Sequence, residues 1–118
     1  MACVLNQIRF VQGDATKFKL YLKDECNPSV DIDLTGATVF SVALPGTTSP
    51  VIKTLGSGVV ILSATQGVVE VTLSSSDTNL VLVGNKQTIE INYQLPGGVD
   101  KYKSLPNVLY VTARVLFP

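Results

Sequence analysis

The chain contains no histidine and no tryptophan, and only two cysteines among its 118 residues. Without histidine it lacks the commonest general base and the commonest metal ligand. A serine nucleophile would need a lysine or an N-terminal amine instead. No lysine stands beside Ser74-Ser75-Ser76-Asp77 in a recognisable pair, so these residues read as helix-capping groups and no catalytic residue is expected. Cys3 and Cys26 are too few for a disulfide scaffold. They are either free thiols of a reducing cytoplasm or one pair, joined if strand ends meet. Charged residues make up 15% of the chain, where soluble domains average about 25%. Nine basic and nine acidic side chains cancel. A neutral chain has little attraction for phosphate, which argues against a nucleic-acid partner. Scarce charge also protects poorly against association. Either partners cover part of the surface, or the surface is simply rich in Ser and Thr. No run approaches the roughly 18 apolar residues of a membrane helix, so no membrane partner is expected. Residues 1–7 carry no basic segment followed by a long apolar run, so neither a signal peptide nor an acylated cysteine is expected.

What the chain has in abundance is two-residue alternation, the mark of a strand with one buried face. Phe18, Leu20 and Leu22 alternate with Lys17, Lys19, Tyr21 and Lys23. Phe40, Val42 and Leu44 share one face, as do Ile89, Ile91, Tyr93 and Leu95. Further strands are expected at 7–11, 51–55 (at a sheet edge), 59–62, 68–73 and 108–117. Turns are expected at 12–14, 24–28, 45–50, 56–58 and 96–100, where Gly, Pro, Asn and Asp gather. Residues 74–80 have capping groups for one helical turn and too few apolar positions for more. Seven to nine short strands without a long helix predict one all-β domain over 1–118. The expected architecture is an antiparallel sandwich of immunoglobulin-like dimensions, with a small β-barrel as the alternative.

Several groups invite chemistry. Asp24, Glu25, Asp31 and Asp33, with Asn27, are oxygen donors, but their spacing matches no calcium loop and turns collect such residues anyway. Gly56-Ser57-Gly58 and Pro96-Gly97-Gly98 have no following helix N-terminus to hold a phosphate and read as hairpin turns. No metal or cofactor is expected. Tyr21, Tyr102 and Tyr110 are candidate exposed aromatics for stacking on sugars.

The order of motifs is the most specific feature. Phe10-Val11-Gln12-Gly13-Asp14 precedes the first alternating strand. Asp33-Leu34-Thr35-Gly36-Ala37-Thr38-Val39 follows it, and then Gly67 to Ser74 with Ser76-Asp77-Thr78. Across residues 10 to 95 this order resembles the immunoglobulin-like β-sandwich of bacteriophage tail and baseplate proteins, including the N-terminal domains of upper baseplate proteins. The chain departs from that pattern at Cys26-Asn27-Pro28, at Gly84 to Thr88, and in a long C-terminal hairpin from Pro96 to Pro106. The resemblance implies a structural virion protein, assembled in the bacterial host cytoplasm, that binds other virion proteins, forms homo-oligomers and has no catalytic residues. Tyr21, Tyr102, Tyr110 and Phe117 are the candidate interaction surface, with the terminal strand ending in Phe117-Pro118 as a free edge for β-augmentation. The alternative is a carbohydrate- or receptor-binding module.

Overall fold

Alternation along the chain decides which side chains meet inside. In the computed structural model, residues 3–4, 7–26 and 29–113 are described. They form β1 (Cys3–Val4), β2 (Ile8–Val11), β3 (Thr16–Cys26), β4 (Ser29–Asp31), β5 (Val39–Leu44), β6 (Val51–Leu55), β7 (Gly58–Ser63), β8 (Val68–Leu73), β9 (Gly84–Leu95) and β10 (Val99–Thr112). One short helix, α1 (Ser75–Leu80), separates β8 from β9. The fold is all-β. Leu20, Leu22, Phe40, Val42, Ile89 and Ile91 are buried, and their odd or even neighbours face solvent. Val59, Val69 and Val71 complete the same core with Leu105, Leu109 and Val111. Phe40 and Tyr93 stack within it, ring centroids 6.0 Å apart.

The strands follow one hydrogen-bonded path, β1-β3-β8-β7-β6-β5-β9-β10-β2, with β4 beside β3. The pairings are antiparallel except β10 with β2 and β6 with β7. The path curls until its ends approach, with β1 lying against β10. Such closure is what the small-barrel alternative predicts. One narrow seam is β6–β7, joined at Thr54↔Gly58 and Leu55↔Val59.

Four expectations need correction. Asp24 and Glu25, expected in a turn, extend β3 to Cys26, because Glu25 and Cys26 find partners in β4. Gly56-Ser57-Gly58 is no hairpin, since the strands it joins run parallel. Gly56 and Gly58 have φ of 84° and 101°, and the chain kinks there and runs on. The last strand begins at Val99 rather than Val108, because only Pro96 to Gly98 separate the paired Leu95 and Val99. The hairpin is therefore tight, and the irregularity lies further on, at a register shift between Leu105 and Leu109. Finally, β10 offers no free edge at Leu109–Thr112, where β9 flanks one side and β2 the other.

Candidate functional site

The motif residues meet in pairs at two places. At the first, Ser74 caps α1: its Oγ accepts from Asp77 N at 3.1 Å, and the Asp77 carboxylate accepts from Ser74 N at 2.9 Å. This reciprocal arrangement satisfies two otherwise orphaned amides. Lys53 Nζ lies 2.8 Å from Asp77 Oδ2. Its hydrogen bond, reinforced by the Ser74 amide, holds the Asp77 carboxyl below the usual 3.8 despite partial burial. The next residue, Thr78, is fully buried. Its Oγ1 accepts from Gly13 N at 3.0 Å and lies 3.0 Å from Asp14 O. Gln12 Nε2 adds bonds to Asn79 O and Val81 O at 3.3 and 3.2 Å. Gln12-Gly13-Asp14 is thus a bracket for the helix.

The second place gathers the Asp33 to Val39 stretch. Asp33 Oδ1 accepts from Thr35 N and Thr35 Oγ1 at 2.9 and 2.6 Å, and these bonds hold its carboxyl below the ordinary value. Ala37 N donates to Leu34 O at 2.9 Å, and Gly36 between them has φ of 77°, as a type II turn requires. A Cβ on Gly36 would stand 2.6 Å from Pro96 Cγ, and one on Gly67 2.6 Å from Ile32 O. Leu34 N donates to Ala64 O at 2.7 Å. This stretch therefore seats against both the 64–67 turn and the Pro96 hairpin.

The candidate aromatics do not form one platform. Tyr21 is exposed on β3, within the lysine-bearing face. Tyr102 is 60% exposed on β10, opposite Asn92 of β9. Its phenol hydrogen-bonds the Glu90 carboxylate, which raises its pKa. Tyr110, further along β10, stands opposite Arg9 of β2, whose guanidinium lies 4.2 Å from the ring centroid. Gln7 joins them, donating to Tyr110 Oη at 3.4 Å and accepting from Arg9 at 2.7 Å. Phe117 lies outside the described residues, as do the side chains of Cys3 and Cys26.

Two open hollows mark the surface. The larger, about 390 Å³, lies between Pro45 and Pro50 on one side and Gln87 and Thr88 on the other. The smaller, about 250 Å³, sets Asp31 and Asp33 near Lys101 and Lys103. Asp31 is paired with Lys23, and Asp33 with Thr35. Among the described residues no group of three His, Cys, Asp or Glu gathers to hold a metal ion. The sequence reading missed Thr78 and the Arg9–Tyr110 stack. A Thr just after a capping box hints at the first; the second depends on a strand pairing that no local pattern reveals.

No family model and no curated protein matches the chain. A solved structure of murine CRIg aligns over 98% of this chain and 98% of its own, at 11% identity and a TM-score of 0.39. That likeness is too weak to carry a reading of fold or function.

Proposed function

We propose that the chain is a structural component of a bacteriophage virion, in the tail, baseplate or tail-fibre attachment, acting by protein–protein assembly without catalysis. One observation carries the reading. The motifs that resemble phage tail sandwiches are spent on the fold: Gln12-Gly13-Asp14 brackets Thr78, and Asp33 to Val39 seats on Pro96 and Ala64. The finer architecture proposed is an immunoglobulin-like sandwich. In its support, the N-terminal stretch divides between β3 (antiparallel, through β1) and β10 (parallel, through β2). Likewise the kink at Gly56 passes the chain from β5's neighbour to β8's. The path thus falls into two runs, β1-β3-β8-β7 and β6-β5-β9-β10-β2, around a shared core.

The test is to identify the adjacent genes and to label particles with an antibody against the chain. Tail or baseplate genes on either side and label on the particle are expected. Polysaccharide-utilisation neighbours and unlabelled particles would overturn the proposal. A second reading, carbohydrate or receptor binding, draws on Tyr102 opposite Asn92, beside Gln94 bonded to Asp100 at 3.2 Å. Glycan-array binding that Tyr102→Ala abolishes would favour it.

A further inference from the structure

We infer that Tyr102, Glu90 and Asp100, on the outer face of β9 and β10, receive an arginine side chain from a neighbouring protein. The inference rests on the assembly reading above and names the chemistry of one contact. In the β9–β10 ladder Tyr102 stands opposite Asn92, Asp100 opposite Gln94 and Ser104 opposite Glu90. Glu90 and Asn92 are exposed and alternate with the buried Ile89, Ile91 and Tyr93, so this row looks outward. Tyr102 is more open than any other large apolar side chain among the described residues. It lies between two exposed carboxylates: Glu90, its diagonal neighbour on β9, and Asp100, two residues before it on β10.

Among the described residues no lysine or arginine pairs with either carboxylate. Lys17, Lys23 and Lys53 are held by Glu70, Asp31 and Asp77. Lys101 and Lys103 stand opposite Tyr93 and Ile91, on the other face, where they border the hollow with Asp31 and Asp33. Lys86 borders the larger hollow with Glu90 without forming an ion pair. A chain of zero formal charge therefore carries two uncompensated negative charges around its most open aromatic ring. Charge complementarity calls for a cation there and disfavours an acidic partner. It also disfavours a second copy, since a two-fold contact through this face would set the same acids against each other.

The molecule itself contains a seated tyrosine for comparison. Tyr110, further along β10, also faces outward between buried Leu109 and Val111, and the Arg9 guanidinium lies 4.2 Å from its ring centroid. The strand that brings Arg9 pairs with β10 only along Leu109–Thr112, so Tyr102 receives no cation from it. A guanidinium suits Tyr102 better than an ammonium. Its plane can stack on the ring while its spread donors reach the flanking carboxylates, whereas an ammonium is a compact, strongly hydrated charge. The receiving groups are already held. The Tyr102 phenol bonds to Glu90, and Gln94 Nε2 ties Asp100 Oδ1 to Gly98 O at 3.2 Å each. Less ordering is then lost on binding.

The experiment is heteronuclear NMR of the isotope-labelled full chain, titrated with three end-capped tripeptides: glycine-arginine-glycine and its lysine and glutamine counterparts. The arginine peptide is expected to shift the Asn92, Asp100 and Tyr102 amides saturably. The lysine peptide should bind more weakly and the glutamine peptide should leave them unmoved. Tyr102→Ala, and Glu90→Gln together with Asp100→Asn, should each weaken arginine-peptide binding about fivefold or more. These side chains are exposed, so circular dichroism and melting should show every variant folded. No saturable shift, equal binding of the glutamine peptide, or binding that survives both sets of substitutions overturns the inference. Shifts of the same amides by maltotriose but not by the arginine peptide overturn it in favour of the sugar-binding reading. None of these outcomes touches the virion reading, which the particles and adjacent genes decide separately.

Discussion

Thr78 Oγ1 accepts the Gly13 amide across 65 residues of sequence, at 3.0 Å and out of contact with solvent. The same hydroxyl reaches Asp14 O, so one buried side chain joins α1 to the turn between β2 and β3. Thr78→Val keeps the shape and removes the hydroxyl, leaving the Gly13 amide without a partner. Denaturant unfolding should show a loss of about 1–3 kcal/mol. Thr78→Ser keeps the oxygen and should lose less. Equal losses for the two variants would mean that packing, not the bond, is what matters.

The capping box predicts a pH effect. Lys53 and the Ser74 amide lower the folded-state pKa of Asp77. The stabilisation is therefore fully present above the unfolded carboxyl value and is lost as pH falls through the lower folded value. The stability gap between wild type and Asp77→Asn should be level from neutrality down to about pH 4 and close below it. At neutral pH the gap should be about 1 kcal/mol, the usual worth of a helix cap. Thermal melts between neutral and acid pH measure it.

Gly36 has φ of 77° and would place a Cβ 2.6 Å from the Pro96 ring. Gly36→Ala should destabilise by about 1–3 kcal/mol through backbone strain and this clash. Adding Pro96→Ala should recover the clash and leave the strain, so a double-mutant cycle separates them. Gly67→Ala should be worse than Gly36→Ala. Its Cβ would meet backbone oxygens of Ile32 and Leu22, at 2.6 and 2.9 Å, which no side-chain deletion can remove.

Lys86 has φ of 54° without being glycine, and its side chain is exposed. Lys86→Gly should therefore stabilise the domain by about 1 kcal/mol, since glycine carries no left-handed penalty. A rise in melting temperature checks this; a fall would mean that the lysine side chain contributes more than the backbone strain costs.

Much of this architecture is legible in local pattern. Phe40-Val42-Leu44 and Ile89-Ile91-Tyr93 declare their buried faces because side chains alternate along a strand whatever its partner. Asp33, Thr35 and Gly36 declare a turn because their bonds close within four residues. Ser74 and Asp77 declare a helix start for the same reason. The candidate aromatics are less legible. Nothing local tells Tyr102 from Tyr110: the pairing of β10 with β2 brings Arg9 onto Tyr110, and Tyr102 bonds to Glu90 of β9.

The sequence by itself determined the all-β class, the strand faces and the turn chemistry, since these depend on period and on contacts between near neighbours. Tertiary structure decided the rest. It placed Gln12-Gly13-Asp14 under Thr78, enclosed β10 between β9 and β2, and set β7 between β8 and β6. Strand order is settled by which apolar faces can close one common core. That depends on residues far apart in the chain, which no local pattern encodes.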